Sequence, residues 1–441
     1  MQKTSILISR KSLFIKLICF LYFSFTSYFL LAQKQTTIIV KVETRNKSNF
    51  LLEDNLLPAI NFPDLTKKNI NELQSNSEAL LLLEELKKYY YLQVSDIDKY
   101  SKLKELREKG LQVYFDVQYK IEQDKLKIND PLYKEQWALQ AVQAIGAWRK
   151  ATGKGSVVGV IDTGIDYDHQ DLVEQLWINP AEDLNGNGRF DNWASTEERD
   201  GVFGDLDGID NDGNGFVDDV IGYDFVDKKV ISVGDVTLPD CNPVDEHGHG
   251  TAVSSVIAAK NNDLGIIGLA FDAKIMTLRA CDAQGVGESK DIANAIVYAA
   301  INGAHVINLS LGEYQGSELM HTAIKFANSL GCVIVASAGN KGIAMPHYPS
   351  DYSEVISVGG CNESLRYQFN YGDRLDITAP GINIYSALPN NRYKKSHGTS
   401  FAAPLVSAVA ALLKEKDKTL NGKEIRDIIQ FSAKKVASGW T

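Results

Sequence analysis

The chain has 441 residues, 44% of them hydrophobic and 23% charged, enough apolar material for a large core and too much chain for one small domain. Its formal charge of −10 argues against a nucleic-acid binder, which needs a basic surface to displace counterions. No internal repeat or low-complexity tract is present.

In chain order, Lys3, Arg10, Lys11 and Lys16 form a basic leader with no acidic residue, followed by an apolar stretch over residues 17–31 that ends at Ala32. This pattern predicts a secretory signal peptide over residues 1–32. A membrane anchor is the alternative, because the apolar run approaches spanning length. Residues 33–124 are rich in Lys, Glu, Leu and Tyr and poor in Gly. Ile38-Ile39-Val40-Lys41-Val42 predicts a strand, residues 78–88 a helix, 89–94 a strand, 99–109 a helix and 111–117 a strand. Together they make a small α+β domain. A polar stretch at 125–130 reads as a linker and processing region.

From residue 131 onward Gly rises and short β-branched runs alternate with helical patterns. The runs are Val157-Val158-Gly159-Val160-Ile161, Ile275-Met276-Thr277-Leu278, Val306-Ile307-Asn308-Leu309, Val333-Ile334-Val335 and Val355-Ile356-Ser357-Val358. Helical patterns cover 289–302 and 317–330. Continuous apolar strands separated by helices predict the α/β class, a mostly parallel sheet flanked by helices, with functional groups at the carboxyl ends of the strands. Four cysteines lie beyond the leader: Cys241, Cys281, Cys332 and Cys361. Their pairing is open, and Cys332 sits in an apolar run where a buried thiol fits as well as a disulfide.

Three segments carry chemistry. Asp162-Thr163-Gly164 places a carboxylate at the end of a buried strand. An aspartic protease also uses Asp-Thr-Gly, but it needs a second such carboxylate, and none follows. Asp245-Glu246-His247-Gly248-His249-Gly250-Thr251 puts a histidine on a glycine-flanked turn before an apolar helix. The two histidines could also be metal ligands, although no third zinc ligand is suitably spaced. Gly398-Thr399-Ser400-Phe401-Ala402-Ala403-Pro404 opens a long apolar helix. A serine there is ordinarily an N-cap; at the positive end of a helix dipole it can also face developing negative charge.

Taken together, in the order Asp, His, Ser, these segments resemble the subtilisin-like serine proteases, the subtilases, over about residues 131–441. The order sets them apart from chymotrypsin-like enzymes and α/β-hydrolases. The resemblance implies a subtilisin-like fold with Ser400 as nucleophile, His249 as general base and Asp162 as the group orienting it. His249 is preferred to His247 because it directly precedes Gly-Thr. Asn340, in Ala338-Gly339-Asn340, is implied as the oxyanion donor, with the Ser400 N–H as the second. Ser310-Leu311-Gly312 resembles the segment that pairs with an extended substrate, and His347 falls where the family has the floor of its S1 pocket. Residues 33–124 loosely resemble the family's inhibitory propeptides.

An acidic insert over 180–224 separates Asp162 from His249. Asp183, Asn185 and Asn187 in one loop, and Asp210, Asp212 and Asn214 in another, match the first half of an EF-hand calcium loop, with Asp218 following the second. The terminal Glu is missing from both, Ala194 and Ile221 standing in its place. Solvated acidic loops whose Asn and Gly make turns are the alternative, and calcium is expected more at the Asp210 loop than at the Asp183 loop. A further calcium site, at Asp171 and Asn262, is implied by the resemblance alone.

The sequence therefore predicts a secreted serine endopeptidase acting on protein or peptide substrates. It would be restrained by its own propeptide, have calcium as a structural cofactor, and need no nucleic acid or lasting membrane anchor. An inactive scaffold of the same fold is the alternative, and a calcium-binding adhesion module a third reading that leaves the Ser400 motif unexplained.

Overall fold

The structure, a computed structural model, describes residues 35–41, 57–58, 89–95, 99–109, 111–115, 127–227 and 239–434. Contacts divide the chain into two compact units, residues 1–122 and 123–441. The leader expected over 1–32 and the helix expected over 78–88 lie outside the described residues.

The first unit contains β1 (Gln35–Lys41), β2 (Leu57–Pro58), β3 (Tyr89–Ser95), α1 (Lys99–Glu108) and β4 (Gln112–Phe115). The strands form an antiparallel sheet in the order β2-β3-β1-β4. Leu103 and Leu106 of α1 and Val113 of β4 are buried, so the helix turns its apolar side inward and its Lys and Glu residues outward.

The second unit opens with α2 (Trp137–Ala141) and α3 (Ala144–Trp148), then β5 (Val157–Asp162). The insert contributes the short hairpin β6 (Glu198–Arg199) and β7 (Val202–Phe203), and β8 (Gly222–Asp224) closes it. There follow α4 (His249–Ala258), β9 (Lys274–Arg279), α5 (Ser289–Ile301), β10 (Val306–Leu309), α6 (Glu318–Ser329), β11 (Val333–Ser337) and β12 (Val355–Cys361). The unit ends with β13 (Ile377–Pro380), the hairpin β14 (Ile384–Leu388) and β15 (Arg392–Ser396), α7 (Thr399–Lys416) and α8 (Gly422–Ser432). Seven strands form one sheet in the order β13-β12-β11-β10-β5-β9-β8, and every pairing in it is parallel.

The apolar runs are continuous because both faces of this sheet are covered. Alternate residues divide between two cores, as the two-residue period of a strand requires. Val158, Val160, Val306, Val333, Val335, Ile356 and Val358 pack with α4 and α7. Ile161, Ile307, Leu309, Ile334, Ala336 and Val355 pack with α5 and α6. The stretch expected to be a linker is partly integrated into this unit: Ile128 packs on the first core, and Asp130 is buried, accepting from the Asn262 N–H. No helix among the described residues is long and apolar enough to cross a membrane.

Candidate active site

Asp162 ends β5 and is 2% exposed. Its Oδ1 accepts from the Thr163 N–H at 2.8 Å and lies 2.7 Å from His249 Nδ1. His249 is the first residue of α4, behind Gly248. Gly250 makes the approach possible: a Cβ there would sit 2.1 Å from the Gly164 carbonyl oxygen and 3.2 Å from Asp162 Cβ. Burial alone would lower the His249 pKa, but the Asp162 charge and hydrogen bond oppose it, and with the further charge of Asp245 the net shift is upward from 6.5.

The turn before His249 is tied down by Asp245, a buried residue of the motif whose role its sequence did not reveal. Asp245 Oδ1 accepts from the N–H groups of His247 and Gly248 and from the Thr163 hydroxyl. Its Oδ2 accepts from the N–H and hydroxyl of Thr251. The Thr163 hydroxyl in turn accepts from the Gly250 N–H. One carboxylate thus joins the end of β5 to the start of α4. Behind it, the fully buried Arg279 pairs with Asp224 and with Glu246 of the same turn. Leaving such a buried charge unpaired costs about 3–5 kcal/mol.

Ser400 is the second residue of α7, and the N-cap is Gly398. Ser400 is therefore not itself the cap, and its N–H belongs to the first turn, which has no intrahelical acceptor. Its hydroxyl donates to the Ser310 carbonyl at 3.0 Å, while the Ser310 hydroxyl donates to the Ser400 carbonyl at 2.9 Å. A buried chain supports this pair: the Ser407 hydroxyl donates to Asn308 Oδ1, and Asn308 Nδ2 donates to Ser310 Oγ. In the sequence Asn308 is only a member of the apolar run Val306-Ile307-Asn308-Leu309. Asn340 follows β11, and its Oδ1 accepts from both the N–H and hydroxyl of Thr399. Anchoring the oxygen end of the amide orients Nδ2 as its donor end.

Asp162, His249, Ser400 and Asn340 line one open groove of about 420 Å³. Ser310, Leu311, Gly312 and His347 line it as well. His347 is buried, its Nδ1 3.2 Å from Ser350 Oγ, with the Tyr314 ring set edge-on at 5.2 Å. A Cβ on Gly312 would fall 2.3 Å from the His347 ring, so that glycine admits the histidine to the wall. His247 is exposed on the rim, 6.3 Å from the His249 ring. The four cysteines Cys241, Cys281, Cys332 and Cys361 are free thiols, and Cys281 faces the groove.

The candidate metal ligands separate into groups. Asp171 is fully buried; Oδ2 accepts from the Ile266 N–H and the Tyr393 hydroxyl, and Oδ1 has no partner. Buried Asp130 likewise leaves Oδ2 without a partner, and burial pushes its pKa up to about 6. Asn262 lies beside both, its N–H on Asp130 and its Nδ2 on the Gln170 carbonyl. Two unsatisfied buried carboxylate oxygens fit a hard cation such as calcium. Asp130 is the member the sequence did not single out.

In the insert, the Asp183 loop closes on itself. Asp183 accepts from the N–H groups of Asn187 and Gly188, and the amide groups of Asn185 and Asn187 both donate to Asp191. Asp210 and Asp212 stand close together, and Asn214 donates to Asp212 and Asp219. Asp218 does not join them. Its left-handed backbone turns the carboxylate to the N–H groups of Asp207 and Gly208, and Glu182 takes the third place beside Asp210 and Asp212.

A parallel sheet that delivers an aspartate from a strand end, a histidine and a serine from helix starts and an asparagine from a strand end into one groove defines a serine-type endopeptidase of subtilisin-like fold. Residues 153–440 match the Subtilase family, and the chain belongs to it. It is 35% identical to the thermophilic serine proteinase of Bacillus sp. strain AK1 over 318 residues, 71% of this chain and 65% of that protein. It is 33% identical to thermitase of Thermoactinomyces vulgaris over 317 residues, 71% of this chain and 94% of thermitase. A protease structure from Pseudoalteromonas arctica PAMC 21717 superposes with a TM-score of 0.56 at 28% identity, covering 70% of this chain and 93% of that one.

Proposed function

We propose that the chain is the precursor of a secreted endopeptidase that cleaves protein substrates through an acyl-enzyme on Ser400. The observation that carries this is the 2.7 Å contact between His249 Nδ1 and Asp162 Oδ1 in a groove shared with Ser400 and Asn340. With Nδ1 donating to Asp162, Nε2 of the neutral ring is left as the acceptor a general base needs. The Ser400 hydroxyl turns from the Ser310 carbonyl to Nε2 and gives up its proton as Oγ attacks the scissile carbonyl. Asn340 Nδ2 and the Ser400 N–H receive the oxyanion. His249 then protonates the leaving amine, and a water that it deprotonates releases the acyl group.

An extended substrate pairs with Ser310-Leu311-Gly312, and His347 shapes the pocket for the residue before the cut. The basic leader and apolar run of residues 1–32 direct secretion. Residues 33–124 assist folding and restrain the enzyme until removed. Calcium at Asp171, Asn262 and Asp130 stabilises the mature form by binding only when folded.

A fluorophosphonate probe tests the central claim. It should label the mature protein at Ser400, and Ser400→Ala should abolish both labelling and self-processing. Labelling that survives the substitution would sink the assignment.

A further inference from the structure

We infer that the acidic insert holds a calcium ion of its own, bound by Glu182 together with Asp210 and Asp212. The inference goes beyond the preceding proposal, whose calcium lies at Asp171, and either can fail without the other. The Asp210 loop has the oxygen side chains that open an EF-hand loop but has Ile221 where the closing carboxylate belongs. Tertiary structure supplies one from elsewhere. Glu182, upstream of the loop, offers an oxygen that lies with those of Asp210 and Asp212 in a group no more than 4.8 Å across.

Glu182 is what separates this group from an ordinary acidic surface. It is 0% exposed. Its Oε1 accepts from the N–H groups of Asn211 and Asp212, and its Oε2 is buried without a hydrogen-bond partner. Among the described residues, no ion pair involves Glu182, Asp210 or Asp212. A buried carboxylate with a bare oxygen beside two more carboxylates calls for a cation. The second convergent acidic group among the described residues, Asp227, Glu288 and Asp291, already has one: Lys290 lies 2.7 Å from Asp291 and 3.6 Å from Glu288 and also bonds Asp227.

An all-oxygen carboxylate set selects a hard ion, and calcium tolerates the irregular geometry of a site assembled from two separate segments. The site is also braced from behind. Asn179 donates to Asp212 and to the fully buried Asp219, and Asp219 accepts from the Tyr298 hydroxyl of α5. An ion here would lock the insert to the helix layer of the catalytic unit.

The test uses the full chain carrying Ser400→Ala, which prevents self-cleavage. Bound calcium per chain is counted by equilibrium dialysis with calcium alone, and thermal unfolding is followed with calcium and with chelator. Glu182→Gln and Asp210→Asn should each bind one ion fewer than the parent and show a smaller rise in Tm on adding calcium. In chelator, Glu182→Gln should unfold no lower than the parent, because it removes an uncompensated charge. Full calcium binding by both variants overturns the inference. If Glu182→Gln does not fold, Asp210→Asn, on the more open loop, decides alone. Asp171→Asn is the separate control: its loss of an ion reports on the Asp171 site and leaves the insert's count untouched.

Discussion

In the groove each side chain proposed to react leaves the end of an apolar element. Asp162 ends β5, His249 begins α4, Asn340 follows β11 and Ser400 lies in the first turn of α7. The insert of residues 180–224 contains only short strand pieces, and Asp183 and Asp210 are held by N–H groups of its own turns. The groove therefore takes its geometry from packed elements joined by a buried polar network, Asp245 tying β5 to α4 and Asn308 supporting Ser310. The insert takes its geometry from N–H and amide groups donating to carboxylates that crowd and repel one another: the Asp205 pKa is pushed up to about 6 by desolvation and then by the charges of Asp191 and Asp183. One region should respond to substitutions through chemistry, the other through ion binding and stability.

Ser400→Ala should give the largest effect, a loss of about 10⁶ in kcat, the magnitude known for the equivalent change in subtilisin, with no fall in Tm. A comparable loss of stability would mean that the groove is not preformed by packing. Asp162→Asn should lower kcat by about 10⁴ and should also move the pH profile. In the proposed mechanism activity requires neutral His249, whose pKa is raised from 6.5 because the opposing effect of burial is outweighed by the Asp162 charge and hydrogen bond. The acid limb of kcat/KM should therefore fall at a pH above 6.5 in the parent and shift lower in the variant. Stability runs the other way: the contribution of the charged pair is complete below about pH 6.5 and is lost as pH rises through the raised value. An acid limb that does not move in Asp162→Asn would separate the carboxylate from the titration of His249.

Asn340→Ala should cost on the order of 10²–10³ in kcat with little change in KM, a magnitude taken from subtilisin itself. Chelation should leave kcat of the surviving enzyme near its starting value while lowering Tm, an outcome visible by calorimetry. A Tm insensitive to chelator would remove calcium from both proposed sites. The smallest effect should come from His347→Ala, which should alter the cleavage profile of a peptide library more than the total rate. An unchanged profile would leave His347 as a packing residue.

Much of the sheet was legible because its strands are buried on both faces and so are written as uninterrupted apolar runs. β8, β13 and the β14–β15 hairpin were not. β8 has three residues and β13 four, ending on Pro380 at the sheet edge, where a missing N–H is tolerated. The hairpin turns at Asn390 and Asn391, both left-handed, a turn signal the sequence contains and the strand patterns did not use.

At the site, the chain itself determined which groups are proposed to react, because a serine on a helix start, a histidine between glycines and a carboxylate after a buried strand are local signatures. It did not determine what holds them. Asp245 joining Thr163 to Thr251, Asn308 linking Ser310 to Ser407, Asp130 beside Asp171 and Glu182 beside Asp210 each depend on a partner remote in sequence. An aspartate or glutamate at the surface and one buried with a bare oxygen are the same letter. Only the folded chain decides which loses its water, and the cost of that loss is what gives each one a partner to hold.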